Sequence, residues 1–236
     1  MGFGKEELDL VLAPAGLMIM FAYHLYLLHR YLRCPETTFM GYENNDKKAW
    51  VQSIMKHKDK DVISSALTAT TTNTSASIYL ATISLTLCSL IGAWIANSSN
   101  NLFQSTIIFG DTRPSTMSVK YISLLTCFLL AFSCFVQSAR HFVHANYLIS
   151  HPGTSSPVKN VELAVIRGGE LWSLGLRALY FALNLLLWFF GPIPMFASSI
   201  IMVIILYHQD VNSLPLHQYG SEGSHVMIKG TGLRDV

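Results

Sequence analysis

Apolar residues in this chain fall into long blocks separated by polar segments, instead of alternating at strand spacing. The first block runs from about Leu8 to Leu28, is interrupted by Pro14 and Gly16, and ends at His29, Arg30 and Arg33, residue types that belong at headgroup level. A block of this length suffices to cross a hydrocarbon core of ~30 Å as a helix. From Cys34 to Asp61 the chain is polar and charged, carrying Lys47, Lys48, Lys56, Lys58 and Lys60 around Trp50, which predicts a surface helix leading into a second span.

That second span, about 63–96, is packed with Ser and Thr from Ile63 to Ser77 and becomes strongly apolar only from Ile78, so its first half is expected to be buried in protein. Asn97 to Ser118 reads as a loop, and Lys120 and Tyr121 open a third span over 120–149. After the His151-Pro152-Gly153 break, helix is expected from about Val158, followed by an aromatic-rich run over 171–208. That run would reach roughly 55 Å as one helix, too long for a single crossing. Gly191-Pro192-Ile193-Pro194 predicts a kink there, with the helix projecting from the membrane at its N-terminal end; a re-entrant hairpin at the prolines is the alternative.

The fold class expected is therefore all-α, an integral membrane bundle of four transmembrane helices over residues 1–208, with a polar, disordered tail over 209–236. Composition agrees: 51% of residues are hydrophobic and 13% charged, against roughly 25% charge in a soluble domain. A net charge of +2 gives no basic stripe for nucleic acid. Cys34, Cys88, Cys127 and Cys134 lie in or beside apolar runs, so packing explains them better than a disulfide framework or a metal site. The first block exceeds a signal-peptide core and is expected to stay in the mature protein. Glu6 stands where a myristoylation motif needs Ser or Thr.

Nine basic residues (Arg30, Arg33, Lys47, Lys48, Lys56, Lys58, Lys60, Lys159, Arg167) fall in the first and third connections, against five for the two termini and the middle loop, counting Lys120 at the loop's end. With four spans, the positive-inside rule places both termini on the extracytoplasmic side of a plasma membrane or endomembrane. Asn97-Ser98-Ser99 is then a glycosylation sequon on the outer side.

The stretch Trp172-Ser173-Leu174-Gly175-Leu176-Arg177-Ala178-Leu179-Tyr180-Phe181, with Leu187-Trp188-Phe189-Phe190-Gly191-Pro192-Ile193-Pro194-Met195 and Leu206-Tyr207, resembles the C-terminal signature of domain-of-unknown-function family 599, found in plants and bacteria. Gln137-Ser138-Ala139-Arg140-His141, Gly41 and Trp50-Val51-Gln52 extend the resemblance to most of the chain between Leu8 and about Asp210. Family members commonly carry a Gln-Thr-x-Arg-Asn run at the start of the second span, where this chain reads Thr68-Ala69-Thr70-Thr71-Thr72-Asn73 without the arginine. The resemblance implies a small multi-span membrane protein and supplies no reaction.

Ionisable residues within spans are costly, which selects Arg140, His141, His144, Glu170 and Arg177. Glu170 and Arg177 lie two turns apart on one helical face, where they either meet partners on neighbouring helices or snorkel. Thr68, Thr71, Thr72, Ser75 and Thr82 form a hydroxyl stripe that suits either helix packing or the wall of a hydrated path. A four-helix unit has little interior, so a path would run at the axis of a homo-oligomer, with Arg140, His141 and His144 at its inner mouth or on lipid headgroups. Few intramembrane acids favour an anion, and the histidines offer gating by pH. A small-ion channel or transporter is the reading adopted; the alternatives are a structural or adaptor protein, or a haem-binding redox protein using His24 or His29 with His141 or His144. No nucleotide, metal or acyl-transfer motif occurs, Gly168-Gly169 reads as a hinge at a helix start, and neither an enzyme nor a resident cofactor or metal is expected.

Overall fold

In the computed structural model, residues 5–57, 59–97, 113–150 and 158–212 are described, and they form six α-helices. These are α1 (Lys5–Arg33), α2 (Phe39–His57), α3 (Lys60–Asn97), α4 (Pro114–Ser150), α5 (Val158–Leu187) and α6 (Pro192–Asp210), with short 3₁₀ turns at Pro35–Thr37 and Trp188–Phe190. The sequon, the His151-Pro152-Gly153 break and the tail beyond residue 212 lie outside the described residues.

Five of the helices, all but α2, are long and apolar enough to cross a membrane. The expected count of four is therefore corrected to five. The error lies at 188–194, where the chain reverses instead of kinking. Trp188–Phe190 tightens into a 3₁₀ turn, Gly191 takes φ 134°, and α6 starts at Pro192. Only glycine adopts that backbone readily, and a proline at the first helical position loses no hydrogen bond. Gly191 thus ends one helix and Pro192 begins the next, and the run splits into two antiparallel spans.

Two further boundaries shift for related reasons. Helix α4 begins at Pro114, six residues before the expected Lys120, again with proline opening the first turn. Gly168 and Gly169 lie inside α5, so they are not a hinge at its start. A Cβ on Gly168 would stand 2.9 Å from a Phe142 ring atom, and one on Gly175 2.8 Å from Phe135. The glycines let α4 and α5 approach until two phenylalanines seat in their place.

Helix α4 packs between α3 and α5. Its Phe128, Phe135 and Phe142 meet Ala182, Gly175 and Gly168 of antiparallel α5, while α3 packs on another side through the stripe Ala66, Thr70, Ser77, Ala81, Ser84 and Ile91. Small side chains in that stripe permit close approach, and Ser77 Oγ lies 3.2 Å from Ser138 Oγ, which donates to the Gly168 carbonyl at 2.7 Å. The first half of α3 is thus buried on one stripe only.

Helix α6 runs antiparallel to α5 and parallel to α1, against which Gly16 meets Ser199. Helix α2 caps one end. Its N-cap Thr38 accepts the Gly41 N–H at 3.2 Å, and the chain folds so tightly that a Cβ on Gly41 would stand 2.0 Å from the Pro35 carbonyl oxygen. The end of α6 joins the same corner, since Thr38 pairs with Val211 in an isolated antiparallel bridge and Asn212 donates from its N–H to the Thr37 carbonyl at 3.2 Å. Residues 5 and 212 consequently lie at opposite ends of the bundle.

Candidate functional site

The stripe Thr68, Thr71, Thr72, Ser75 and Thr82 is exposed on the outward side of α3. Thr68, Thr72 and Thr82 donate to carbonyls four residues back, each at 2.9 Å, which satisfies their hydroxyls without a partner. Thr71 accepts from Asn146 of α4 at 3.1 Å. The hydroxyls buried against α4 are those of Thr70, Ser77 and Ser84, and Thr70 also bonds Asn146. Arg140 and His144 are exposed on α4 and His141 is half-buried; Arg140 reaches only Gln137 on its own helix, at 3.5 Å. None of these three meets the stripe.

Glu170 and Arg177 do meet partners on neighbouring helices. Both face the seam where α1, α5 and α6 adjoin, and polar side chains recur along it in layers. At the α2 end, the Tyr31 hydroxyl donates to Glu170 Oε1 at 2.7 Å, and Asn44 Nδ2 reaches both the Tyr31 oxygen, at 3.1 Å, and Glu170, at 3.3 Å. Two turns along α5, Arg177 Nη2 holds Asp210 Oδ1 at 2.6 Å, and Tyr23 donates to Oδ2 of the same carboxylate at 2.7 Å. His24 lies beside them, its ring 5.0 Å from that of Phe181 and its Nδ1 2.7 Å from the Met20 carbonyl oxygen. Deeper still, Ser198 donates to Asn184 Oδ1 at 2.8 Å, next to Ser199 where Gly16 leaves room for it.

The far end closes on a buried ion pair. Lys120 of α4 stands 3.3 Å from Asp9 of α1, and both are almost fully buried. The Trp188 indole donates to the other Asp9 oxygen at 2.6 Å, its carbonyl takes Lys120 Nζ at 3.3 Å, and its ring lies 5.1 Å under that ammonium. With 1.5 Å of rise per residue, the Asp9 and Tyr23 layers are about 21 Å apart, and the Tyr31 layer lies about 12 Å further on. The seam therefore carries polar groups through the full depth of a bilayer.

Most of these groups were not singled out by sequence. Asp9 sits inside an apolar run, which is the signal that marks a functional or paired charge, and Lys120 reads in sequence only as the opening of the third span. Asp210 fell at the edge of the expected tail. Tyr23, Tyr31, Asn44 and Asn184 carry no signal until the helices are packed. Acids are not scarce along the seam: Asp9, Glu170 and Asp210 outnumber Lys120 and Arg177, which removes the ground for an anion preference. His24 is turned to its own helix and to Phe181, away from the exposed His144. Among the described residues no three His, Cys, Asp or Glu side chains gather as a metal site.

The sequence profile of DUF599, described as a protein of unknown function, matches residues 11–215. The chain belongs to the DUF599 family. All the layers of the seam except the Asp9 carboxylate fall within the span that defines DUF599, including the Arg177 and Asp210 pair. No curated protein and no solved structure matches the chain.

Proposed function

We propose that this integral membrane protein transports a small ion or polar solute, and that the path is the seam between α1, α5 and α6 within one chain. One observation carries the reading. Among the described residues, the buried side-chain polar atoms without a hydrogen-bond partner are His24 Nε2, Asn44 Oδ1, Arg177 Nη1 and Asn184 Nδ2. Three of the four line this seam, and Asn44, on α2, closes it at one end. Buried polar groups are ordinarily satisfied, and each exception asks for a reason such as water or a ligand; intramembrane polar groups that face a bundle interior mark solute pathways.

The homo-oligomeric path along α3 has less support, because its hydroxyls face outward and three of them are satisfied by their own backbone. A structural or adaptor role would use the same ion pairs as fixed latches between helices. With five spans, residue 212 lies at the end that holds α2 and its basic residues, and the positive-inside rule assigns that end to the cytoplasm.

The test is reswelling of proteoliposomes after hyperosmotic shock in a panel of salts and small polar solutes. Entry of at least one class is expected, abolished by Asn184→Leu and retained in Thr72→Leu. Loss in Thr72→Leu with intact Asn184→Leu flux would move the path to α3, and no entry of any solute would leave the structural role.

A further inference from the structure

Helix α6 stops at Asp210, whereas α5 continues from Arg177 to Val158 toward the α2 end, a further rise of about 28 Å. A recess of about 370 Å³ opens over the end of α6, lined among others by Phe39, Ser173, Arg177, Tyr180, Gln209 and Asp210. Its floor is the Arg177–Asp210 ion pair, about 21 Å from the Asp9 layer, largely buried at the end of the α6 span.

We propose that this recess binds a small zwitterion, a solute or headgroup carrying one ammonium and one anionic group. The assignment rests on the transport reading only for the fate of the ligand; the binding itself stands on the recess. The floor presents one cation and one anion. Asp210 occupies only one nitrogen of the guanidinium, and Nη1, almost closed off beneath the recess, has no partner among the described residues. A guanidinium takes a carboxylate or phosphate through paired donors. The opposite charge is provided for at the other side of the floor, where the Asp210 carboxylate stands at the C-terminal end of α6, whose last carbonyls carry partial negative charge and favour an ammonium.

Charge balance excludes the simpler ligands. A lone anion or cation would leave an uncompensated charge beside a largely buried pair, which is expensive, while a zwitterion meets both members of the pair and adds none. Leu176 and Leu206 complete the lining beside Phe39, giving the ligand's carbon skeleton an apolar wall. Ser173 and Tyr180 place hydroxyls on the same face of α5 as Arg177, one turn to either side.

Isothermal titration calorimetry on the full chain in nanodiscs tests this, with L-leucine as probe and its two half-molecules, 4-methylpentanoate and 3-methylbutylamine, as controls. Saturable binding of leucine is expected, at least tenfold tighter than either control, and reduced at least tenfold in Arg177→Gln and in Asp210→Asn. Because those variants remove half of an ion pair, Ser173→Leu serves as a second: it fills the recess without touching the pair and must also weaken leucine at least tenfold. Nanodiscs of phosphatidylglycerol alone and with phosphatidylethanolamine separate the two sources. Leucine binding suppressed only when phosphatidylethanolamine is present makes the headgroup the occupant, and binding in both makes it a free solute. Equal binding of a half-molecule, or no leucine binding in either membrane, overturns the proposal. Solute entry without leucine binding refutes this inference alone, and binding without entry of any solute refutes the transport reading alone.

Discussion

Lys120 and Asp9 are 111 residues apart in sequence and 3.3 Å apart in space, buried together against Trp188. An ion pair withdrawn from solvent contributes modestly when intact, because desolvation offsets the attraction, but leaves an uncompensated charge when one partner is removed. Lys120→Met should therefore destabilise the protein by about 3–5 kcal/mol. The double variant Asp9→Leu with Lys120→Met should recover most of that loss. Thermal unfolding in detergent of the two variants measures both, and a double variant no better than the single would mean that Asp9 is satisfied without the lysine.

The contact of α4 with α5 rests on phenylalanines seated against glycines. Gly175→Val forces Phe135 out of position, and overpacking of this kind costs about 1–3 kcal/mol. Combining it with Phe135→Ala should restore part of the stability. An unchanged melting temperature in Gly175→Val would show that the two helices are further apart than described.

Five spans and four spans predict opposite labelling. In a background with Cys34, Cys88, Cys127 and Cys134 changed to serine, cysteines placed at exposed Lys48 and at Asn212 should react with a membrane-impermeant maleimide from the same side. Reaction from opposite sides would return α5 and α6 to a single crossing.

The hydroxyls of α3 divide by face. Thr72→Leu should alter stability by no more than about 0.5 kcal/mol, as for a surface position. Thr70→Val removes a buried bond to Asn146 and should cost about 1 kcal/mol or more. Chemical denaturation of both variants tests the division; equal losses would mean that the outer face is also packed, as it would be between copies.

Gly191 holds the reversal between α5 and α6. Gly191→Ala should cost about 1–3 kcal/mol from backbone strain alone, because its φ and ψ are open essentially to glycine, readable as a lower melting temperature. No change would mean that the turn tolerates an ordinary backbone.

Much of the architecture was legible because spans depend on local composition: a block of apolar residues must leave water wherever it folds, and α1, α3 and α4 follow from that alone. The final reversal was not, although Gly191-Pro192 carried the signal, because the same residues that bend a helix also end one and start another. Which occurs depends on whether α1 offers a face for α6, as Gly16 does against Ser199.

The candidate site divides in the same way. By itself, the sequence determined that this is a helical membrane protein of the DUF599 family, and that Glu170 and Arg177 share a face, because 3.6-residue periodicity is a local property. Only the tertiary structure decided that the face meets Tyr31, Asn44 and Asp210, and that the dense hydroxyls of α3 turn outward. A charge inside an apolar run is equally costly wherever its partner lies, so its presence can be read along the chain. The partner cannot, because Asp9 and Lys120 become neighbours only after the intervening helices have packed.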